Sequence, residues 1–348
     1  MSVSSGSKES KDKKKKNTVN KISRMNQVEE GSGKKKETTS TGSSESKNTS
    51  MKDETFDKAR GAVKNTIGWM NRNPDFPLYD HSRVRLKCEA ESDNNYVNAT
   101  NITCQPCDRK WVVAQHPMEK YYEGMMVFYQ EIDVIFAIFS PDEQLPVYFP
   151  TEQGKFFNHG QFFVHCWKLT PPSGKYQATN YTIEVLPAGC SNARYTTILH
   201  YSHWPKGHVA PSPKVILKGI QALDPAEKVT KSKCLIHSAE GINRAMSFVM
   251  VDYVVELMFR NNTVDIPELI TQLRSQRGGA FQNRIFCLYA LYVAIDYVKI
   301  RLTKFKNAPD VLLEITNLQK AMKKEFSGVI PRELGSSKKG ATIDATIE

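Results

Sequence analysis

"KCLIHSAEGINRAMSFV", residues 233–249, is the stretch on which the reading of this chain turns. A short apolar strand leads into a sharp turn and then a mostly apolar helix, with Arg244 just inside the turn. Such a loop aims backbone N–H groups and a helix N-terminus at one point, an arrangement suited to holding phosphate. At its base, six residues before the Arg, position 238 is a serine.

Working outward, the 348 residues allow one large domain or two ordinary ones, and 40% hydrophobic with 24% charged residues fits a soluble core with polar segments attached. No run approaches the roughly 18 apolar residues of a membrane span. The first residues, "MSVSSGSKESKDKKKK", lack the apolar stretch of a secretory signal, and Ser2 excludes N-myristoylation. An intracellular protein is expected, in the cytoplasm or the nucleus. The cysteines Cys88, Cys104, Cys107, Cys166, Cys190, Cys234 and Cys287 are odd in number and dispersed, which suits a reducing compartment. Cys104 and Cys107 form a lone C-x-x-C without the further ligands of a zinc site, so they read as structural and no metal is expected.

The charge is uneven. Residues 1–52 hold 13 Lys or Arg against 6 Asp or Glu, a net of +7 out of +11, and contain no aromatic residue. Residues 1–54 therefore read as a disordered basic tail that buries too little apolar surface to offset chain entropy. Its Lys13–Lys16 and Lys34–Lys36 clusters suit an import receptor or an anionic membrane surface, or serve only solubility. Without interleaved aromatics, no specific nucleic-acid recognition is expected.

From about residue 55 the texture changes. "KARGAVKNTIGWM" and "MEKYYEGMMVFYQEI" have helical character; "RVRLKC", "WVVAQ", "VIFAIF", "FFVHCWKL", "YTIEVLP" and "RYTTILHY" read as strands. After about residue 211 helices dominate: "SPKVILKGIQAL", capped by Ser212 with Pro213 at its first position, then "GINRAMSFVMVDYVVELMF", "IPELITQLRSQ" and "AFQNRIFCLYALYVAIDYVKIRL". This order predicts an α/β (α+β) domain over 55–303 with a strand–phosphate loop–helix unit. Residues 304–348 read as a C-terminal helical extension and a loose tail.

Several stretches together fit one family. "NRNPDFPLYDHSRVRL" (71–86), "YVNATNI" (96–102), "AQHP" (114–117), "YFP" (148–150), "HYSHWP" (200–205), "IHSAEGINR" (236–244) and Gln282 stand in the order and spacing of a protein tyrosine phosphatase domain, which residues 55–303 resemble. The resemblance implies a twisted, central mixed sheet flanked by helices. It also implies a cysteine nucleophile where Ser238 stands, on a loop formed by Ser238, Ala239, Glu240, Gly241, Ile242, Asn243 and Arg244.

The family's other requirements fall on positions that have changed. Lys206 takes the place of the general-acid Asp after Trp204 and Pro205; a protonated amine with an ordinary pKa near 10.4 is a poor proton donor to a phenolate. Phe286 replaces the second of two water-positioning glutamines, while Gln282 keeps the first. Ala245 replaces the hydroxyl residue after the loop Arg, and Asn73 replaces the Tyr that stacks on phosphotyrosine. His237, which in the family positions the loop, and Asp75, which holds the incoming peptide, are retained. His203 and His208 lie near this loop in sequence but do not match the acid's position.

The expectation is a catalytically inactive phosphatase-like protein that acts as a binding or regulatory module, with a phosphotyrosine-containing signalling protein as partner. The alternatives are a scaffold that ignores phosphate and an enzyme with an atypical nucleophile. No cofactor is expected. Within the loop, Arg244 suits a bidentate grip on phosphate. Gly241 leaves room for an anion, and Asn243, in place of a glycine, tolerates unusual backbone angles. Glu240 brings a negative charge to the rim, where pairing with Lys206 or with Arg244 would close the site.

Overall fold

Residues 71–76, 78–86, 96–118, 127, 130–223, 232–260, 263–305 and 309–331 are described in the computed structural model. All belong to the unit Lys52–Glu348. The basic tail, the helix expected over 58–70, most of that expected over 118–132 and the end of the chain lie outside the described residues.

Among the described residues, nine strands form one sheet in the order β1-β2-β3-β9-β4-β8-β7-β6-β5. They are β1 (Arg83–Arg85), β2 (Tyr96–Ile102), β3 (Trp111–Gln115), β4 (Val134–Ile138), β5 (Phe156–His159), β6 (Phe162–Thr170), β7 (Thr179–Pro187), β8 (Arg194–His200) and β9 (Cys234–Ser238). β9 inserts between β3 and β4, parallel to both, and β4 is also parallel to β8; the outer pairings are antiparallel. The sheet is therefore mixed, as expected, with its parallel strands at the centre.

β4 is apolar throughout and β9 is apolar up to His237, because both faces of the sheet are covered there. Along β9, Cys234 and Ile236 pack into the core on one face and Leu235 into the core on the other. β4 divides likewise, with Phe136 and Ile138 on one side and Ile135 and Ala137 on the other. The period-two alternation of side chains makes a five-residue strand serve two cores.

Helices cover the first of these faces: α1 (Pro213–Leu223), α2 (Arg244–Phe259), α3 (Ile266–Gln276), α4 (Arg284–Phe305) and α5 (Pro309–Phe326). α1 begins with Pro213, and Ser212 Oγ accepts from the Lys214 N–H at 3.3 Å. α3 occupies the span read from sequence, capped by Asp265, whose side chain accepts from the Glu268 N–H at 3.0 Å. α2 is buried over 13 of its 16 residues, the reason its sequence lacks a polar face. α5 docks on α4 through Phe326, whose ring meets Tyr289 and Tyr292 at 5.3 and 5.0 Å.

Among the described residues, no helix is long and apolar enough to cross a membrane.

Candidate functional site

The four parallel strands end together. Gln115 of β3 and Ile138 of β4 both register with Ser238 of β9, and Ala137 registers with His200 of β8. The segments that follow these ends build one site: His116 and Pro117 after β3, Ser140–Glu143 after β4, the Trp204–Lys206 loop after β8, and Ser238–Arg244 after β9. Ligands of open α/β sheets commonly bind outside the carboxyl ends of parallel strands.

The 238–244 loop is held from behind. Arg277, just past α3, is fully buried and donates to five acceptors: Gly241 O at 2.7 Å, Glu240 O at 3.1 Å, Val113 O at 3.0 Å, Thr100 Oγ1 at 2.9 Å and Asn98 Oδ1 at 3.0 Å. Burial lowers its pKa to about 10, so the guanidinium remains charged at neutral pH. Ser238 O and Ala239 O accept from the His116 N–H, and Ile242 O from the Phe281 N–H. Gly241 has φ +68°, and a Cβ there would lie 2.2 Å from Ala114 O. The glycine is thus required by the loop's packing on β3, a reason other than the approach of an anion.

Asn243 corrects an expectation. Its backbone is ordinary, φ −110° and ψ −78°, and its role is to accept from the Asn283 N–H through Oδ1 at 3.2 Å. It joins the loop to the start of α4, and no unusual backbone angle calls for it.

Inside the loop, Ser238 is buried and its Oγ accepts from the Gly241 N–H at 3.2 Å. Its hydroxyl thus occupies one of the loop's own donors. His237 is buried with its ring against His116, Phe139 and Tyr148, and Nε2 lies 2.8 Å from Tyr148 Oη. Burial pushes its pKa well below the ordinary histidine value, with the neighbouring His116, His200, Arg244 and Arg72 adding to the effect. The neutral ring packs beneath the end of β9, against His116 and Tyr148.

Arg244 departs from the sequence reading. It is buried, and its two terminal nitrogens donate to the two carboxylate oxygens of Glu143, each at 2.6 Å; Nη1 also donates to Trp204 O at 2.7 Å. Glu240 does not reach it. Instead Glu240 Oε1 lies 2.9 Å from Lys206 Nζ, so of the two rim pairings considered from sequence the structure has the one with Lys206. Glu143 was missed by sequence reasoning. It sits in a one-turn helix, Pro141–Glu143, 101 residues before Arg244, and its only signal is an acidic residue soon after a buried parallel strand. Burial acts to raise the Glu143 pKa, but the Arg244 guanidinium outweighs it and holds the carboxyl below its usual range.

Trp204 anchors the loop that carries Lys206. Its ring is fully buried, Nε1 donates to His208 O at 2.8 Å, and its carbonyl accepts from Arg244. Lys206 is thereby drawn over the mouth of the 238–244 loop. His208 Nδ1 contacts Lys206 O at 3.0 Å, and burial lowers the pKa of His203; neither histidine makes a hydrogen bond to Ser238.

The remaining expected positions divide. Asn73 Oδ1 accepts from the Asp75 N–H at 3.0 Å, turning the chain beside a small pocket lined by Asn73, Gln115, Glu240, Ile242 and Arg277. Asp75 is exposed at that turn, and Gln282 is exposed next to α4. Phe286 and Ala245 lie in the core, where their side chains serve packing. Full burial of a Phe side chain stabilises by about 1.5–3 kcal/mol.

Comparison with known proteins agrees with this architecture. The family model for protein-tyrosine phosphatase matches residues 69–297, and the chain belongs to that family. Among curated relatives, tyrosine-protein phosphatase non-receptor type 2 of Mus musculus is 27% identical over 228 residues, covering 61% of this chain and 53% of that protein. Receptor-type tyrosine-protein phosphatase zeta of Rattus norvegicus is 25% identical over 61% of this chain and 10% of its own length. Receptor-type tyrosine-protein phosphatase alpha of Homo sapiens is 23% identical over 74% of this chain and 32% of its own length. The chain thus spans about half, or less, of the length of these relatives.

Proposed function

We propose that this chain is a catalytically silent member of the tyrosine phosphatase family, acting as a binding or regulatory module for phosphotyrosine-containing proteins inside the cell. The observation that carries this reading is the pairing of Lys206 with Glu240 above a loop whose base is Ser238. The residue in the nucleophile's place is a hydroxyl with no base bonded to it. The residue in the acid's place is an amine held by a carboxylate. A serine needs an adjacent general base to attack phosphorus. The groups that would transfer protons to leaving group and water are therefore both lacking.

Binding draws on what the loop retains. Arg244 offers its guanidinium at the N-terminus of α2, whose dipole favours an anion, and Lys206 stands above the same point once it leaves Glu240. A phosphate entering the loop shares Arg244 with Glu143 and displaces the internal Ser238–Gly241 hydrogen bond.

A second reading, a scaffold that uses its surface and ignores phosphate, draws support from the same contacts: Arg244 already has carboxylate and carbonyl partners, and the rim is paired shut. Two measurements separate the readings. Phosphate release from an aryl phosphate should stay at background and be unaffected by Ser238→Ala. Calorimetric titration with a phosphotyrosine peptide should show binding that Arg244→Ala removes. No binding by wild type or by Glu240→Ala at millimolar peptide selects the scaffold; turnover lost on Ser238→Ala selects an atypical enzyme.

A further inference from the structure

The connection from β2 to β3 carries two thiols that the phosphate loop does not use. Cys104 and Cys107 are both buried, 3% and 8% exposed. The Cys107 N–H donates to Cys104 O at 2.7 Å, closing a four-residue turn. Such a turn keeps its end Cα atoms within about 7 Å, overlapping the span of about 4.4–6.8 Å that a disulfide bridges. Cys104 Sγ lies 3.8 Å from Gln105 O and 4.0 Å from Gln272 Oε1, at the same turn. The neighbouring Cys107 thiol lowers the Cys104 pKa and the Cys104 thiol raises that of Cys107, an asymmetry that suits an attacking and a resolving thiol.

The turn is held at both ends. Gln276 Oε1 accepts from the Thr103 N–H at 2.8 Å, while its Nε2 donates to Thr103 O at 2.9 Å. Tyr253 Oη donates to Ile102 O at 2.9 Å, and Glu256 Oε1 accepts from the Asp108 N–H at 2.8 Å. The Cys107 thiol also contacts Tyr253 O at 3.9 Å. Residues of α2 and α3 thus fix the backbone on either side of the two sulfurs and hold the turn that brings them together.

We propose that Cys104 and Cys107 form a reversible intramolecular disulfide on exposure to a hydroperoxide, making the β2–β3 turn an oxidation site. The Cys104 thiolate attacks one peroxide oxygen, the O–O bond breaks, and the departing hydroxide takes a proton and leaves as water. Cys104 is then a sulfenic acid. The Cys107 sulfur attacks the Cys104 sulfur while giving up its proton; the S–O bond breaks and a second water leaves. Two thiols and one hydrogen peroxide thus yield one disulfide and two waters, with sulfur oxidised and peroxide oxygen reduced. Burial of both residues selects a small oxidant over a bulky disulfide such as oxidised glutathione. The site lies before Trp111, at the opposite end of β3 from Gln115, and the inference is independent of whether the 238–244 loop binds phosphate.

The test is differential labelling of the full chain. Reduced protein is treated with hydrogen peroxide, free thiols are capped in denaturant with one maleimide, and disulfides are then reduced and capped with a second of different mass. The peptide spanning Cys88 to Arg109 is fragmented to assign its three cysteines. Cys104 and Cys107 should carry the second label together and Cys88 the first. Intact mass should fall by two hydrogens and recover with dithiothreitol. Cys107→Ser and Cys104→Ser should each lose that mass change. First label on both residues after oxidation, second label shared with Cys88, or sulfinic acid at Cys104 with no bond would overturn the proposal. In a parallel arm, a glutathione adduct on Cys104 would overturn the selection for a small oxidant.

Discussion

Lys206 Nζ lies 2.9 Å from Glu240 Oε1, so the amine carried by the Trp204 loop is tied to the rim of the loop it faces. Lys206 is 58% and Glu240 23% exposed at the side chain, and such a partly solvated pair is worth about 0–1 kcal/mol. The pair biases the mouth toward closure without locking it. The buried Glu143–Arg244 pair below it is of a different kind, because each partner is 3–4% exposed and an unpaired charge there has no water to turn to.

Glu240→Ala should tighten binding of a phosphotyrosine peptide. The substitution removes a negative charge from the rim and frees Lys206 to face the phosphate. A gain of up to about 1 kcal/mol corresponds to roughly a fivefold lower Kd. Calorimetric titration at low and at moderate salt checks this, and the gain should shrink as salt screens the rim.

On the reading proposed above, Ser238→Cys alone should not give useful phosphatase turnover. It supplies a sulfur nucleophile but leaves Lys206 where that reading places the acid, and general acid catalysis contributes typically about 10²–10⁴ in rate. Lys206→Asp in the same chain would place a second carboxylate beside Glu240. The combination of Ser238→Cys, Lys206→Asp and Glu240→Ala should therefore exceed the double variant without Glu240→Ala in aryl phosphate hydrolysis.

Glu143→Gln should lower stability by about 3–5 kcal/mol, because it leaves the buried Arg244 guanidinium without its counter-charge. Chemical denaturation measures the loss. In the wild type the Glu143 pKa is held below its ordinary 4.5, so its contribution is complete above that value and fades as pH falls through the lowered one.

Acid should also act through His116, whose pKa burial lowers from 6.5 to about 4. The unfolded chain takes up this proton first, so stability is retained above pH 6.5 and lost on descending toward pH 4. Asp252 works in the opposite sense, since burial raises its pKa from 3.8 to about 6 and its charged form is the costly one. Comparison of wild type with His116→Gln isolates the histidine: over that window wild type should lose on the order of 3 kcal/mol more than the variant. Denaturant midpoints at several pH values check the difference.

The legible part of this molecule was local. The strand–turn–helix around Ser238, the start of α1 at Pro213 and the span Ile266–Gln276 all follow from short-range pattern and capping chemistry. β5 was not read: its four residues, Phe156–His159, alternate exposed and half-buried at the sheet's edge, too short a run for its two Phe to show a period. In the site, the loop from Ser238 to Arg244 and the pairing of Glu240 with Lys206 were foreseen from sequence. The partners of Arg244 and the role of Arg277 were not, because Glu143 and Gly241 are separated from them by 101 and 36 residues. Asn243 was misread because its side chain serves a contact to Asn283 that only the folded chain creates.

Arg277 has a consequence for how this sequence tolerates mutation. Its five hydrogen bonds shape the 238–244 loop through backbone and support residues, and none goes to the side chains of Ser238, Lys206 or Glu240. Selection on the form of the loop and selection on its reactivity therefore act on separate residues. A lineage can exchange the nucleophile and the acid while the loop keeps its contour, but a change at Arg277 alters the contour whatever stands at position 238.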